Sequence, residues 1–192
     1  MTFVIAGLGN PGPAYAGTRH NIGAMVVAEL AAQLSLKLSR HKKAFAAVGE
    51  GHIGLPGSQH GVALAIPLCY MNESGGPIKS ILDYYEVPLE NLIVVHDELD
   101  IDFAAIRLKL GGGDNGHNGL KSIKKSIGSG EYYRTRMGIG RPQGQQDPAD
   151  FVLSQFSPSD RKVLPELISR GCEALETLVA SGLDLAQNKF NS

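Results

Sequence analysis

Short apolar runs bounded by glycine, proline or asparagine alternate along this chain with segments whose apolar residues recur at helical spacing. That alternation restricts the fold more than any other feature. The runs fall near residues 2 to 7, 44 to 53, 61 to 66, 92 to 96, 105 to 110 and 134 to 140, and each predicts a strand. Between them, Ile22, Met25, Val26, Leu30 and Leu34 share one face of a helix starting at Asn21, and Ile78, Ile81, Leu82 and Tyr85 do so from about Ser74 to Tyr85. Leu120, Ile123 and Ile127 predict a helix starting at Asn118, and Leu164, Leu167, Ile168, Leu175 and Val179 a long C-terminal one. Residues 50 to 61 read as a Gly-rich hairpin loop. Strands alternating with helices predict an α/β fold, a twisted mixed but mostly parallel sheet with helices on both faces. With 192 residues, 43% of them apolar, and no repeat or linker, residues 1–192 are expected to form one domain.

In such sheets the ligand crevice lies beyond the carboxyl ends of the strands. Four polar residues fall there: Asn10, Asn72, Asp97 and Asn118. Asn72 and Asn118 also suit helix N-caps, because asparagine accepts hydrogen bonds from first-turn amides, and capping does not exclude substrate contact. The segment after the first strand has two readings. Gly7, Gly9 and Gly12 fit the G-x-G-x-x-G spacing of a dinucleotide site and hence of an oxidoreductase. That reading requires the helix to begin inside the motif and an acidic residue about 20 residues on. Pro11 and Pro13 remove two amide donors, the apolar helix waits until Ile22, and the stretch near residues 30 to 43 ends in Arg40, His41, Lys42 and Lys43.

Other hydrolytic chemistries lack their signatures. The chain has no G-x-S-x-G elbow, no G-K-[ST] phosphate loop and no histidine pair at i, i+4. A histidine and an aspartate without a nucleophile remain, and an oriented histidine can deprotonate water directly. His20 suits this role at the start of the first helix, where the dipole opposes the imidazolium while a strand-end Asp97 favours it and fixes the tautomer. His96, ending an apolar strand, reads as a packed core residue, and His117 as positional, catalytic or merely hydrogen-bonded. His41, His52 and His60 read as loop or edge residues.

Net charge is −1, yet between Ala105 and Arg141 eight basic residues face two acidic ones, a local charge of +6 that leaves −7 elsewhere. A basic island of this kind fits contact with a polyanion. Lys121 to Lys125 also fit a solvated helix face; Arg134 and Arg136, alternating on a strand, fit the island better. Cys69 and Cys172 sit far apart in apolar surroundings and read as small core residues, not as a disulfide or metal pair. With no apolar run of about 18 residues and no leader-like opening, a soluble cytoplasmic protein is expected.

Five strings are more specific than these rules. They are Gly9-Asn10-Pro11-Gly12 with Tyr15 and Thr18-Arg19-His20-Asn21-x-Gly23; Tyr70-Met71-Asn72-x-Ser74-Gly75; His96-Asp97-Glu98-Leu99-Asp100; Gly111-Gly112-Gly113-x-x-Gly116-His117-Asn118-Gly119-Leu120-Lys121; and Arg136-Met137-Gly138-Ile139-Gly140-Arg141-Pro142. In order and spacing, from residue 3 to beyond Phe156, they resemble bacterial peptidyl-tRNA hydrolase. The resemblance implies hydrolysis of the ester joining a peptide to the 3′ end of tRNA, by a monomer without metal or organic cofactor. It implies His20 as base, Asp97 as the group stabilising its basic form, and Asn10 as the residue that distinguishes N-acylated substrate. It places Tyr15, Tyr70, Met71, Asn72 and Asn118 on the tRNA end or the peptide, and Lys109, Arg134 and Arg136 are expected on acceptor-stem phosphates. An RNA-binding module without catalysis is the other non-dinucleotide alternative. The chain departs from the family pattern at Asp114-Asn115, which puts a negative charge beside the phosphate path, and at Tyr70, where phenylalanine is frequent.

Overall fold

The computed structural model describes residues 2–191. Seven strands, β1 (Thr2–Gly7), β2 (Ser39–Arg40), β3 (Ala46–Ile53), β4 (His60–Pro67), β5 (Leu92–Glu98), β6 (Ile106–Leu110) and β7 (Tyr133–Gly138), form one sheet in the order β2-β3-β4-β1-β5-β7-β6. Its centre, β4-β1-β5-β7, is parallel, while β3 and β2 at one edge and β6 at the other pair antiparallel. The α-helices among the described residues are α1 (Ile22–Gln33), α2 (Gly75–Tyr85), α3 (Asn118–Ile127), α4 (Pro148–Val152), α5 (Pro158–Ser181) and α6 (Leu183–Phe190). α1, α5 and α6 cover the sheet face that carries Phe3, Ile5, Ile93, Val95 and Met137. α2 and α3 cover the face with Val4, Ala6, Leu92 and Val94. This double cover explains why the inner strands read as unbroken apolar runs, with every residue of β5 buried.

The predicted mixed sheet with helices on both faces is therefore the observed architecture. The elements that periodicity missed are those too short to show any. β2 has two residues, and α4 has five, none of them buried. α6 buries only Ala186 and Phe190. The hairpin loop narrows to residues 54–59, because β3 runs to Ile53 and β4 starts at His60. α5 begins well before its apolar stripe, where Ser157 Oγ accepts from Asp160 N at 3.1 Å and Pro158 occupies the first turn. No helix among the described residues is long and apolar enough to cross a membrane.

One close approach sets the site. A Cβ on Gly7 would run into the Gly23 carbonyl, and one on Gly23 into the Val95 carbonyl, so α1 lies directly against the carboxyl ends of β1 and β5. Leu8 N donates to Val95 O, and Ala24 N to Leu8 O, both at 3.0 Å. The glycines thus allow the start of α1 to stand over the end of β5.

Candidate active site

Arg19–Asn21 form a 3₁₀ turn just before α1, and this turn carries His20 over Asp97 at the end of β5. His20 is 7% exposed and Asp97 3%. His20 Nδ1 lies 2.9 Å from both Asp97 oxygens. A carboxylate only accepts, so Nδ1 carries the proton and donates, and Nε2 is left with its lone pair. On the other side of Asp97, His117 Nε2 lies 2.7 Å from Oδ1. His117 Nδ1 accepts from Gly119 N at 3.1 Å and Leu120 N at 3.4 Å, which caps α3 and requires the proton to sit on Nε2. Both imidazoles therefore donate to one carboxylate. Burial alone would raise the Asp97 pKa, but the two histidines and their hydrogen bonds outweigh it and hold the group well below the usual carboxylate range.

His20, Asp97 and His117 also come close enough together to suggest a metal-ligand trio. The tautomer of His117 argues against that use. A cation on Nε2 would move the proton to Nδ1, facing two backbone amides. The trio is organised around protons.

His20 separates two cavities. One, of about 300 Å³, is lined by Asp97, Glu98, Asp100, Asn115, His117, Asn118 and Arg141. The other, of about 420 Å³, is lined by Asn10, Tyr15, Tyr70, Met71, Asn72 and Asn118. Ala149 and Val152 of α4 border both. In the second cavity the orientation of Asn10 is fixed from two sides. Asn21 grips its backbone, with Oδ1 accepting from Asn10 N at 2.8 Å and Nδ2 donating to Asn10 O at 2.9 Å. Asn10 Oδ1 accepts from Met71 N at 2.7 Å, which leaves its Nδ2 as a donor for the cavity. Tyr15 and Tyr70 meet edge to face at 6.3 Å, and Tyr70 is 54% exposed, so neither is a core residue.

Several sequence expectations need correction. Neither Asn72 nor Asn118 is a helix cap: His117 caps α3, and the cap position of α2 is Ser74. Both asparagine side chains are exposed at the cavity rim instead. Arg134 does not offer its guanidinium to solvent phosphates. It is 2% exposed, donates to the carbonyls of Gly112, Gly113 and Gly130, and stacks on Tyr132 with Cζ 4.8 Å from the ring centre. It is a strut of the Gly-rich loop. Met71 contributes through its backbone N–H, while its side chain packs among Leu8, Leu120 and Ile123.

Lys109 and Arg136 remain partly open on the same face of the β6–β7 ribbon. Arg136 Nε donates to Glu98 Oε2 at 3.3 Å. Burial, then Arg136 and Arg134, push the Lys109 ammonium below its usual range. This is a site with more cations than carboxylates, and a phosphate would relieve it. His96 is a packed core residue as expected; its Nδ1 donates to the Asp97 carbonyl at 2.8 Å. Sequence reasoning gave no role to Asn21 or Arg19, and for residues 147–156, which contain α4, it left open whether the segment moves as a lid. Asn21 and Arg19 both lie inside the Thr18-Arg19-His20-Asn21 string, which was a usable signal.

Comparison with known proteins agrees with this geometry. A family model described as peptidyl-tRNA hydrolase matches residues 4–192. The peptidyl-tRNA hydrolase of Streptomyces coelicolor is 54% identical over 191 residues, covering 99% of this chain and 95% of that protein. The enzyme of the same name from Mycolicibacterium smegmatis is 48% identical over 189 residues, covering 98% and 97%. Among solved structures, peptidyl-tRNA hydrolase from Acinetobacter baumannii superposes with a TM-score of 0.89 at 34% identity, covering 100% of this chain and 95% of that one. The G-x-G-x-x-G segment is accordingly a turn that presents Asn10 and not a dinucleotide site, and the chain belongs to the peptidyl-tRNA hydrolase family.

Proposed function

We propose that this protein hydrolyses the ester between the peptide and the 3′-terminal ribose of peptidyl-tRNA, releasing tRNA for reuse in translation. The observation that carries the reading is the Asp97 carboxylate holding His20 by Nδ1, which leaves Nε2 unprotonated between two cavities. Nε2 takes a proton from water as the water attacks the ester carbonyl, and the Asp97 charge stabilises the imidazolium that forms. The tetrahedral oxyanion needs neutral donors, and the Asn10 amide, with its oxygen tied to Met71 N, supplies one. Asn72 and Asn118 at the rim suit the peptide N–H and C=O groups, which are the same for every side chain.

Tyr15 and Tyr70 suit stacking on unpaired 3′-terminal bases. Lys109 and Arg136, with Lys121, Lys124 and Lys125 beyond them, suit acceptor-stem phosphates. Both cysteines are free and buried, in keeping with a reducing cytoplasmic setting, and we read the active form as a monomer.

The test is release of tRNA from N-acyl-aminoacyl-tRNA by the parent protein and by His20→Ala, with and without chelator. General-base loss should slow release by about 10²- to 10⁴-fold, and the chelator should leave the parent rate unchanged. An unaltered rate in His20→Ala would remove the assignment, and a parent protein that binds the substrate without cleaving it would remove the function.

A further inference from the structure

α4 borders the site and rests on the body only by partly buried side chains, Phe151 and Val152, packed against the core. It is five residues long, too short to persist alone, and no residue in it is buried. Ala149 and Val152 nevertheless border both cavities, and Leu153 borders the second. The side-chain hydrogen bonds that fasten α4 come from Arg19, the residue before the base.

Arg19 is 7% exposed. Its backbone N donates to Ser154 O at 3.1 Å, and the neighbouring Thr18 bridges to Gln155. Its Nη1 donates to Ser154 Oγ at 2.6 Å, to Gln155 O at 2.7 Å and, more weakly, to Phe151 O at 3.5 Å. The guanidinium plane lies over Phe151 with Cζ 4.1 Å from the ring centre, and Phe156 is 5.6 Å away on the same group. Nη2 comes within 3.9 Å of Asp160 Oδ2 at the start of α5. One planar cation thus ties together the end of α4, the chain after it and the first turn of α5. A lysine cannot do this, because it has neither the fork nor the flat face.

We propose that Arg19 is a positioning residue for substrate binding, holding α4 as the cover over both cavities. It thereby joins the cover to the turn that bears His20. This rests on the hydrolase reading for its kinetic part only. The cover touches ground state and transition state alike, so its release weakens binding without touching the His20–Asp97 pair.

The experiment compares the parent with Arg19→Lys and with Ser154→Ala, which removes one acceptor from the other side and leaves Arg19 intact. Amide hydrogen exchange is followed across residues 148–155 and across α1, and kcat and KM are measured on N-acyl-aminoacyl-tRNA. Arg19→Lys should speed exchange at the Phe151 and Ser154 amides about tenfold, leave α1 unchanged, and raise KM about tenfold with kcat within about threefold. Ser154→Ala should move both readouts in the same direction by less. Unchanged exchange in 148–155 would overturn the proposal. So would faster exchange with KM unaltered, or a fall in kcat at constant KM, which would mean that Arg19 acts on His20 directly. A parent protein without hydrolase activity would sink the functional reading while leaving the exchange result to stand or fall separately.

Discussion

Asp97→Asn replaces two equivalent oxygens with one oxygen and one amide nitrogen, and the surroundings dictate which histidine loses its acceptor. His117 cannot change tautomer, because its Nδ1 receives the amides of Gly119 and Leu120. Its Nε2–H must keep an acceptor, so it claims the one remaining side-chain oxygen at position 97, in the place of the Oδ1 that lies 2.7 Å away in the parent. The introduced NH₂ then faces His20 Nδ1, a distance of 2.9 Å in the parent. Two donors cannot share that contact, so His20 moves its proton to Nε2 and loses the lone pair that takes the proton from water. Leaving a buried donor unpaired instead costs about 1–3 kcal/mol, so the wrong tautomer is favoured by about 5- to 150-fold. Loss of the carboxylate charge behind the imidazolium adds to this, and kcat should fall by about 10²- to 10⁴-fold in all. Adding His117→Ala frees the oxygen for His20, so the double variant should recover kcat over Asp97→Asn by up to the tautomer factor. The assay is single-turnover tRNA release, with nitrogen NMR of the His20 ring to read the tautomer. A double variant no faster than Asp97→Asn, or a parent-like His20 tautomer in Asp97→Asn, would refute the reasoning.

Two further predictions concern protonation and charge. Burial, then His117, pushes His96 down to about 3 in the folded protein, whereas unfolded it titrates near about 6.5. Between those values the unfolded chain binds more protons, so this contribution is complete above about pH 6.5 and declines as the pH falls, by about 2 kcal/mol from pH 7 to pH 5. Denaturant unfolding of His96→Asn should show a pH 7 to pH 5 difference smaller by about that amount, and an unchanged difference would exclude His96 as its source. Lys109→Ala should raise KM and reduce the salt dependence of binding by about one charge. Arg134→Ala, by unpairing three loop carbonyls, should mainly lower the thermal midpoint; a loss of salt slope equal to that of Lys109→Ala would return Arg134 to the phosphate path.

Much of the fold was legible because burial on both faces leaves apolar runs that need no partner to be recognised, as in β1 and β5. The site was legible as a set of strand-end residues and as strings, but not as a set of roles. Asn118 fits a cap by residue type, yet the adjacent His117 is the one that caps α3. Which one caps depends on Asp97 Oδ1 lying within reach of His117 Nε2, a contact across 20 residues. Arg134 and Arg136 share one strand face, yet one is enclosed by the Gly-rich loop and the other is not. Alternation determines the face of a side chain and says nothing of what folds over it.

The sequence by itself determined the layered α/β architecture, the strand-end location of Asn10, Asn72 and Asp97, and the family. These follow from local spacing and from motifs whose parts lie within a few residues of one another. Only the tertiary structure decided the two histidine tautomers, the direction of the Asn10 amide and the seat of α4. Each is set by hydrogen bonds between segments distant in the chain: His117 to Asp97, Met71 to Asn10, and Arg19 to Ser154 and Gln155. A proton's position or an amide's orientation is fixed by the partner that is already committed, and folding is what brings that partner within reach.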